Sequence, residues 1–392
     1  MNGSWETNVV AGSLFATMAA YALFAGADFG GGIWDMLAGR TETGEKVRAA
    51  IDRSVTPVWE GNQVWIVLGF VLVWTAYPGA FAAVMTALFV PLSLSLLGIV
   101  LRGVGFGFRH ETAHPGTTQL AGVLFAASSF IAPFFLGDVV GAVVTGRVRP
   151  ELHGDVAGAW LAPAALLTGV LFVAACAYIG GVYLVGDSHR RGETDMVRYF
   201  SRRAITAGVV TGILAAANMV VLGFEARYVF HRLLTVALPL VLVSVIAGAA
   251  ALVLIVRNRT RLLRIAGALA VAAVVAAWGL AQYPYLLPGT LTLQTGSAPT
   301  TSLQAELVVL IMAAVLVVPS FAYLYWLQQH GRLSVTEPSD ELKRAVATQD
   351  TQTGATTAPA APRGHPVVVT ALIGAAVVEL AREAAGWIRR RR

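Results

Sequence analysis

A single cysteine, Cys176, stands in 392 residues, which excludes a disulfide framework and any thiolate-held metal cluster. Charge is scarce too. Asp, Glu, Lys and Arg make up 13% of the chain, roughly half the share of an average globular domain. That is too little to cover the two or three soluble domains its length would otherwise suggest. Several motifs are missing: there is no CxxCH, no Walker loop and no HExxH, so the sequence carries no signature of attached c-type haem, a nucleotide phosphate cradle or a zinc hydrolase helix. No internal repeat is visible.

What is present is apolar. Hydrophobic residues make up 56% and mean hydropathy is +0.68, in long uninterrupted runs. A membrane helix needs about 20 such residues to cross roughly 30 Å. Nine runs qualify, at about 8–36, 57–76, 79–101, 118–146, 158–186, 204–224, 232–256, 262–283 and 304–328. The segment Met1 to Glu6 lacks a basic n-region, so the first run is expected as a retained helix, not a cleaved signal. The chain thus reads as an all-α polytopic membrane protein.

The net charge of +6 reports topology, not nucleic acid. All but four of the 28 Lys and Arg lie in the first, third, fifth and seventh connections and in the tail. The even connections hold only Arg147, Arg149, Arg227 and Arg232. By the positive-inside rule the N-terminus is outside and the C-terminus cytoplasmic. Short loops favour antiparallel neighbours, with residues 1–330 as the membrane domain. Residues 331–365 have the composition of a disordered linker. Residues 366–392 begin apolar, then admit Glu379, Arg382 and Glu383 and end in four arginines. They read as an amphipathic helix on the inner leaflet, in preference to a tenth span.

Haem iron in a bundle needs facing axial ligands at depth. The seven histidines (His110, His114, His153, His189, His231, His330, His365) fall in loops, at helix ends or in the tail. Met18, Met85, Met219 and Met312 stand singly in apolar runs and suit packing. No cofactor or metal is expected on this chain alone.

Ionisable groups inside hydrocarbon are costly and mark function. Asp28 lies eight residues before the inner end of the first run, about 12 Å deep at 1.5 Å per residue. Glu60 and Gln63 open the second run from the same side, and Arg102 closes the third. Glu60 alone could complement a helix dipole, and Arg102 alone could snorkel. Together, within Trp59-Glu60-Gly61-Asn62-Gln63-Val64-Trp65, they read as a site. Asp138 falls at the outer interface and reads as structural, and Trp74, Tyr77, Tyr283, Tyr285, Tyr325 and Trp326 read as an aromatic belt.

Gly26-Ala27-Asp28-Phe29-Gly30-Gly31-Gly32, Pro57 to Trp65, Tyr77-Pro78, Leu101 to Arg109, and Gln282 to Pro288 with Leu291-Thr292-Leu293 occur in order. Together they resemble subunit II of the cytochrome bd-type quinol oxidases, over roughly residues 10–330. Two positions depart from the family pattern: Glu60 stands where Asp is usual, and Gln63 where Glu is usual.

The resemblance implies nine helices in two four-helix groups plus one peripheral helix, in a prokaryotic cell membrane. It implies an obligate heterodimer with a haem-bearing subunit I that holds haem b, haem d and the quinol site. Quinol electrons would reduce dioxygen to water, electrogenically but without pumping. A structural quinone or lipid and a small single-helix accessory subunit are compatible additions; nucleic acid is not. Asp28, Glu60, Gln63 and Arg102 become candidates for a proton path, and Trp59, Asn62 and Trp65 for an oxygen route or partner interface. Two other classes compete. A secondary ion or proton transporter would use Asp28 and Glu60 at a midplane site between paired broken helices. A structural scaffold would use them only to bind a partner.

Overall fold

The computed structural model describes residues 5–39, 41–55, 59–111, 115–149 and 156–330. The linker and amphipathic helix expected beyond 330 lie outside the described residues. Hydrocarbon offers no hydrogen-bond partners, so the apolar runs fold as helices, which satisfy their own backbone.

The first crossing is α1 (Trp5–Met36). In the connection after it, α2 (Glu42–Val55) buries Val47, Ala50 and Ile51, an i, i+3, i+4 stripe. The second crossing is broken. It comprises α3 (Trp59–Asn62) and α4 (Val64–Ala76), after which α5 (Pro78–Ala87) turns away by 118°. Pro78 starts the new helix at its first position, where a missing N–H costs nothing. Tyr77, fully buried, donates its hydroxyl to the Thr7 carbonyl at 2.8 Å and pins the corner to α1.

Next come α6 (Phe89–Glu111), α7 (Pro115–Val144), the short α8 (Val156–Trp160), α9 (Pro163–Arg190) and α10 (Thr194–Glu225). The short α11 (Arg227–Leu233), α12 (Leu238–Val256) and α13 (Leu263–Gln282) follow. A two-stranded antiparallel hairpin of β1 (Tyr285–Leu287) and β2 (Leu291–Thr292) leads to α14 (Leu293–Gly296) and the last crossing, α15 (Thr300–Gln329). Among the described residues eight helices can cross a membrane by length and composition, and nine crossings result if the bent pair counts as one.

Eight of the nine expected runs match these elements; the run 79–101 does not. It is two helices, a tilted α5 and then α6, joined at Leu88. An unbroken apolar stretch hides the turn, although Pro78 and Pro91 each sit in the first turn of a new helix.

Packing follows the expected grouping. α1 touches α4 and α7, and α7 touches α6; α9 touches α10 and α13, and α12 touches α10 and α13. α9 joins the groups by lying against α1 and α7, while α15 rests on α1 and α4 with no residue of its apolar stretch buried. Lipid offers no hydrophobic drive between helices, so close approach by small residues does the work. A Cβ on Gly30 would stand 2.0 Å from the Cys176 carbonyl oxygen, and one on Gly180 would stand 2.7 Å from the Gly30 Cα. Only glycine permits that crossing of α1 and α9.

Candidate functional site

The glycine-rich end of α1 lets α7 and α9 close around Asp28. A Cβ on Gly32 would stand within 1.9 Å of the Ser129 hydroxyl oxygen on α7. Asp28 is buried, and its Oδ2 accepts from the Asn62 Nδ2 at 2.6 Å. Asn62 is itself buried in the short α3, also reaches the Phe24 carbonyl at 3.4 Å, and accepts at Oδ1 from the Tyr325 hydroxyl at 2.6 Å. A hydrogen-bonded row Tyr325–Asn62–Asp28 therefore links α15, α3 and α1.

Arg102 comes from α6 and has no exposed surface. Its guanidinium donates to the Asp28 backbone carbonyl at 2.7 Å and to the Ser129 hydroxyl at 2.9 Å, while Ser129 donates to the Phe125 carbonyl at 2.9 Å. The rings of Phe29 and Phe125 flank it, with centroids 4.9 and 4.6 Å from Cζ. Arg102 does not snorkel to water. It is a buried cation beside a buried carboxyl, held by a carbonyl, a hydroxyl and two aromatic faces. Its Nε has no partner among the described residues.

The other candidates divide. Gln63 points its Oε1 at the Tyr21 hydroxyl, 3.4 Å away, and its Nε2 is buried without a partner among the described residues. Trp59 stacks on Phe106 at 4.9 Å. Trp65 packs on Phe24 and Phe321, and its indole nitrogen is buried without a partner among the described residues. Asn62, expected on an oxygen route or interface, instead bridges Asp28 to Tyr325. Glu60 is exposed on this chain, and its carboxyl bonds to no described residue.

Three participants were not anticipated. Ser129 and Tyr21 carry no signal in the sequence that separates them from other helix residues. Tyr325 is corrected from aromatic belt to site, because α15 returns against α1 and α4 and brings its hydroxyl to Asn62. Its neighbour Trp326 stays at the surface, as a belt residue does. Asp138 is fully buried in α7, and neither carboxyl oxygen has a partner among the described residues. At the inner ends of α9 and α13, Asp187 pairs with Arg190 and, at 2.5 Å, with Arg264.

Haem would need a facing pair of ligands within the bundle. Among the described residues no group of three or more His, Cys, Asp or Glu could hold a metal ion. His189 and His231 lie in the last turns of their helices, and His330 follows α15.

The family described as cytochrome bd terminal oxidase subunit II matches residues 7–328. A putative cytochrome bd menaquinol oxidase subunit II of Bacillus subtilis is 25% identical over 323 residues, covering 78% of this chain and 90% of the relative. The cytochrome bd-I ubiquinol oxidase subunit 2 of Escherichia coli is 28% identical over 181 residues, covering 44% of this chain and 47% of the relative. In architecture the chain resembles a chain of the bd oxidase of Geobacillus thermodenitrificans, with a TM-score of 0.65 and 21% identity, over 82% of this chain and 98% of that one.

Proposed function

This chain belongs to the cytochrome bd terminal oxidase subunit II family, and from that membership we propose that it pairs obligately with a haem-bearing subunit I in a prokaryotic cell membrane. The complex oxidises quinol and reduces dioxygen to water. The haems and the quinol site are assigned to the partner, and no step of that chemistry is routed through this chain's side chains.

The observation that carries the reading for this chain is the buried Tyr325–Asn62–Asp28 row with Arg102 beside it. Water formation consumes protons, and they must reach a site enclosed by protein. Glu60, exposed two residues from Asn62, collects protons at the inner surface. Asp28 holds the buried end, with Asn62 and Tyr325 fixing its orientation. Arg102 supplies a fixed positive charge beside the buried carboxyl, held there by its bond to the Asp28 backbone carbonyl. Gln63 can hydrogen-bond but cannot exchange a proton at working pH, so it positions and does not relay. Consumption of inner protons with release of quinol protons outside makes turnover electrogenic without pumping.

Trp59, Trp65 and their aromatic neighbours form the apolar side of this region, suited to dioxygen passage or to the partner's surface. The transporter reading is disfavoured, because Asp28 lies toward the inner end of α1 and not at the bilayer midplane. The test is co-purification. Expressed with its partner, the chain should yield a complex with a haem spectrum and quinol-driven oxygen consumption. A chain that carries b-type bands by itself, or a complex with no oxidase activity, would overturn the assignment.

A further inference from the structure

Two of the four basic residues on the outer side, Arg149 and Arg227, line one groove. Three segments far apart in sequence meet there: the end of α7 with its turn (Val144 to Arg149), the corner between α10 and α11 (Glu225 to Tyr228), and the hairpin turn Pro288-Gly289-Thr290. They line an open surface groove of about 280 Å³. Its wall is built, not incidental. A Cβ on Gly146 would stand 3.0 Å from the Pro288 carbonyl oxygen. The Tyr228 hydroxyl donates to the Tyr283 carbonyl at 3.1 Å, and its ring meets Tyr285 edge-on at 5.2 Å.

Among the described residues the charges in this corner are unbalanced. Glu225 is the one carboxylate among the described residues of the wall, and it is already engaged: Arg147 lies 3.4 Å from Oε1, and Oε2 accepts from the Ala164 amide at 2.9 Å. Arg147 also donates to the Gly158 carbonyl, and Arg232 is spent on the carbonyls of Leu280 and Ala281. Arg149 and Arg227 line the same groove, are exposed, and form no ion pair or hydrogen bond with a described residue. Two free guanidinium forks facing one groove suit an oxyanion, because each can donate two parallel N–H bonds. Phe224, 77% exposed, precedes Glu225 on α10, so apolar surface adjoins the cationic groove.

We infer that this corner binds the phosphate of an acidic phospholipid in the outer leaflet, with Arg149 and Arg227 holding the headgroup and the acyl chains lying along the exposed face of α10. Free phosphate shares the headgroup chemistry but gains nothing from the apolar face. Such a lipid would brace α7, the α10–α11 corner and the hairpin together.

The assembled oxidase complex should be delipidated in detergent and titrated, by native mass spectrometry, with phosphatidylglycerol, phosphatidylcholine and inorganic phosphate in turn. Phosphatidylglycerol should bind with saturation, phosphatidylcholine should not, and inorganic phosphate should displace the lipid only weakly. The Arg149→Gln/Arg227→Gln variant should weaken phosphatidylglycerol binding on the order of tenfold or more. Arg149→Lys/Arg227→Lys should recover most of it. Both residues are exposed, and an unchanged haem spectrum and oxygen consumption would confirm that the variants are assembled. Equal binding of the two lipids, or unchanged phosphatidylglycerol binding in the glutamine variant, overturns the proposal. Strong binding of inorganic phosphate that excludes lipid overturns the lipid assignment.

Discussion

Replacing Arg102 by glutamine removes a cation with no exposed surface from beside the buried Asp28 carboxyl, whose side-chain hydrogen bond is to Asn62. Removing one member of a buried charge pair costs about 3–5 kcal/mol, because the other charge is left in low dielectric. Asp28→Asn made alone leaves Arg102 as the uncompensated charge, and the cost is of similar order. The double variant Arg102→Gln/Asp28→Asn carries neither charge. It should be less destabilised than the sum of the single variants, with a coupling energy of about 1–3 kcal/mol. The assay is equilibrium unfolding of the assembled complex in mixed micelles, followed by circular dichroism, for the parent and the three variants. Arg102 donates to the Asp28 backbone carbonyl, which neither substitution removes, so the coupling isolates the charge interaction. Additivity within about 0.5 kcal/mol would refute the claim that these residues form one electrostatic unit.

Three further outcomes are expected. Tyr325→Phe leaves the Asn62 Oδ1 without its donor and should cost about 1–3 kcal/mol in the same assay, whereas Trp326→Phe at the exposed neighbour should be nearly neutral; equal effects would remove Tyr325 from the site. Gly30→Ala should sharply reduce the yield of assembled complex, since its Cβ would collide with the Cys176 carbonyl, while Gly12→Ala, with nothing within 4 Å, should assemble normally; matching yields in membrane extracts would contradict the close α1–α9 crossing. Glu60→Gln should assemble with normal haem content but reduce oxygen more slowly and build a weaker membrane potential, with Glu60→Asp mild; full turnover across pH 6 to 9 would assign Glu60 a scaffold role.

Hydropathy and charge made the number of crossings legible, because lipid imposes length and internal hydrogen bonding on every span. Direction within a run was less legible. Residues 79–101 are apolar throughout, and composition cannot register that the chain turns by 118° before Pro78 and again becomes a separate helix at Phe89. At the site, Asp28 and Arg102 could be read because charge in hydrocarbon needs a reason. Asn62 and Tyr325 could not, since an amide and a belt-type tyrosine have ordinary alternatives. Their roles depend on α15, more than 260 residues away, returning to α1 and α4. Glu60 shows the reverse limit: its motif drew attention, yet the side chain is turned to the surface of this chain.

We propose that Asp28 passes protons from the inner face toward oxygen reduction in the partner. The direct measurement is turnover-coupled charging in liposomes containing the complex with Asp28→Asn, after confirming parent-like haem content. Quinol-driven oxygen consumption and membrane potential are recorded together. Asn keeps the size of the side chain and can still bond to Asn62, so its loss of titration is what the experiment isolates. The account predicts oxygen consumption and the rate of charging both slowed about tenfold or more, equivalent to at least about 1.4 kcal/mol on the limiting barrier. Parent-like oxygen consumption with a parent-like membrane potential would contradict it.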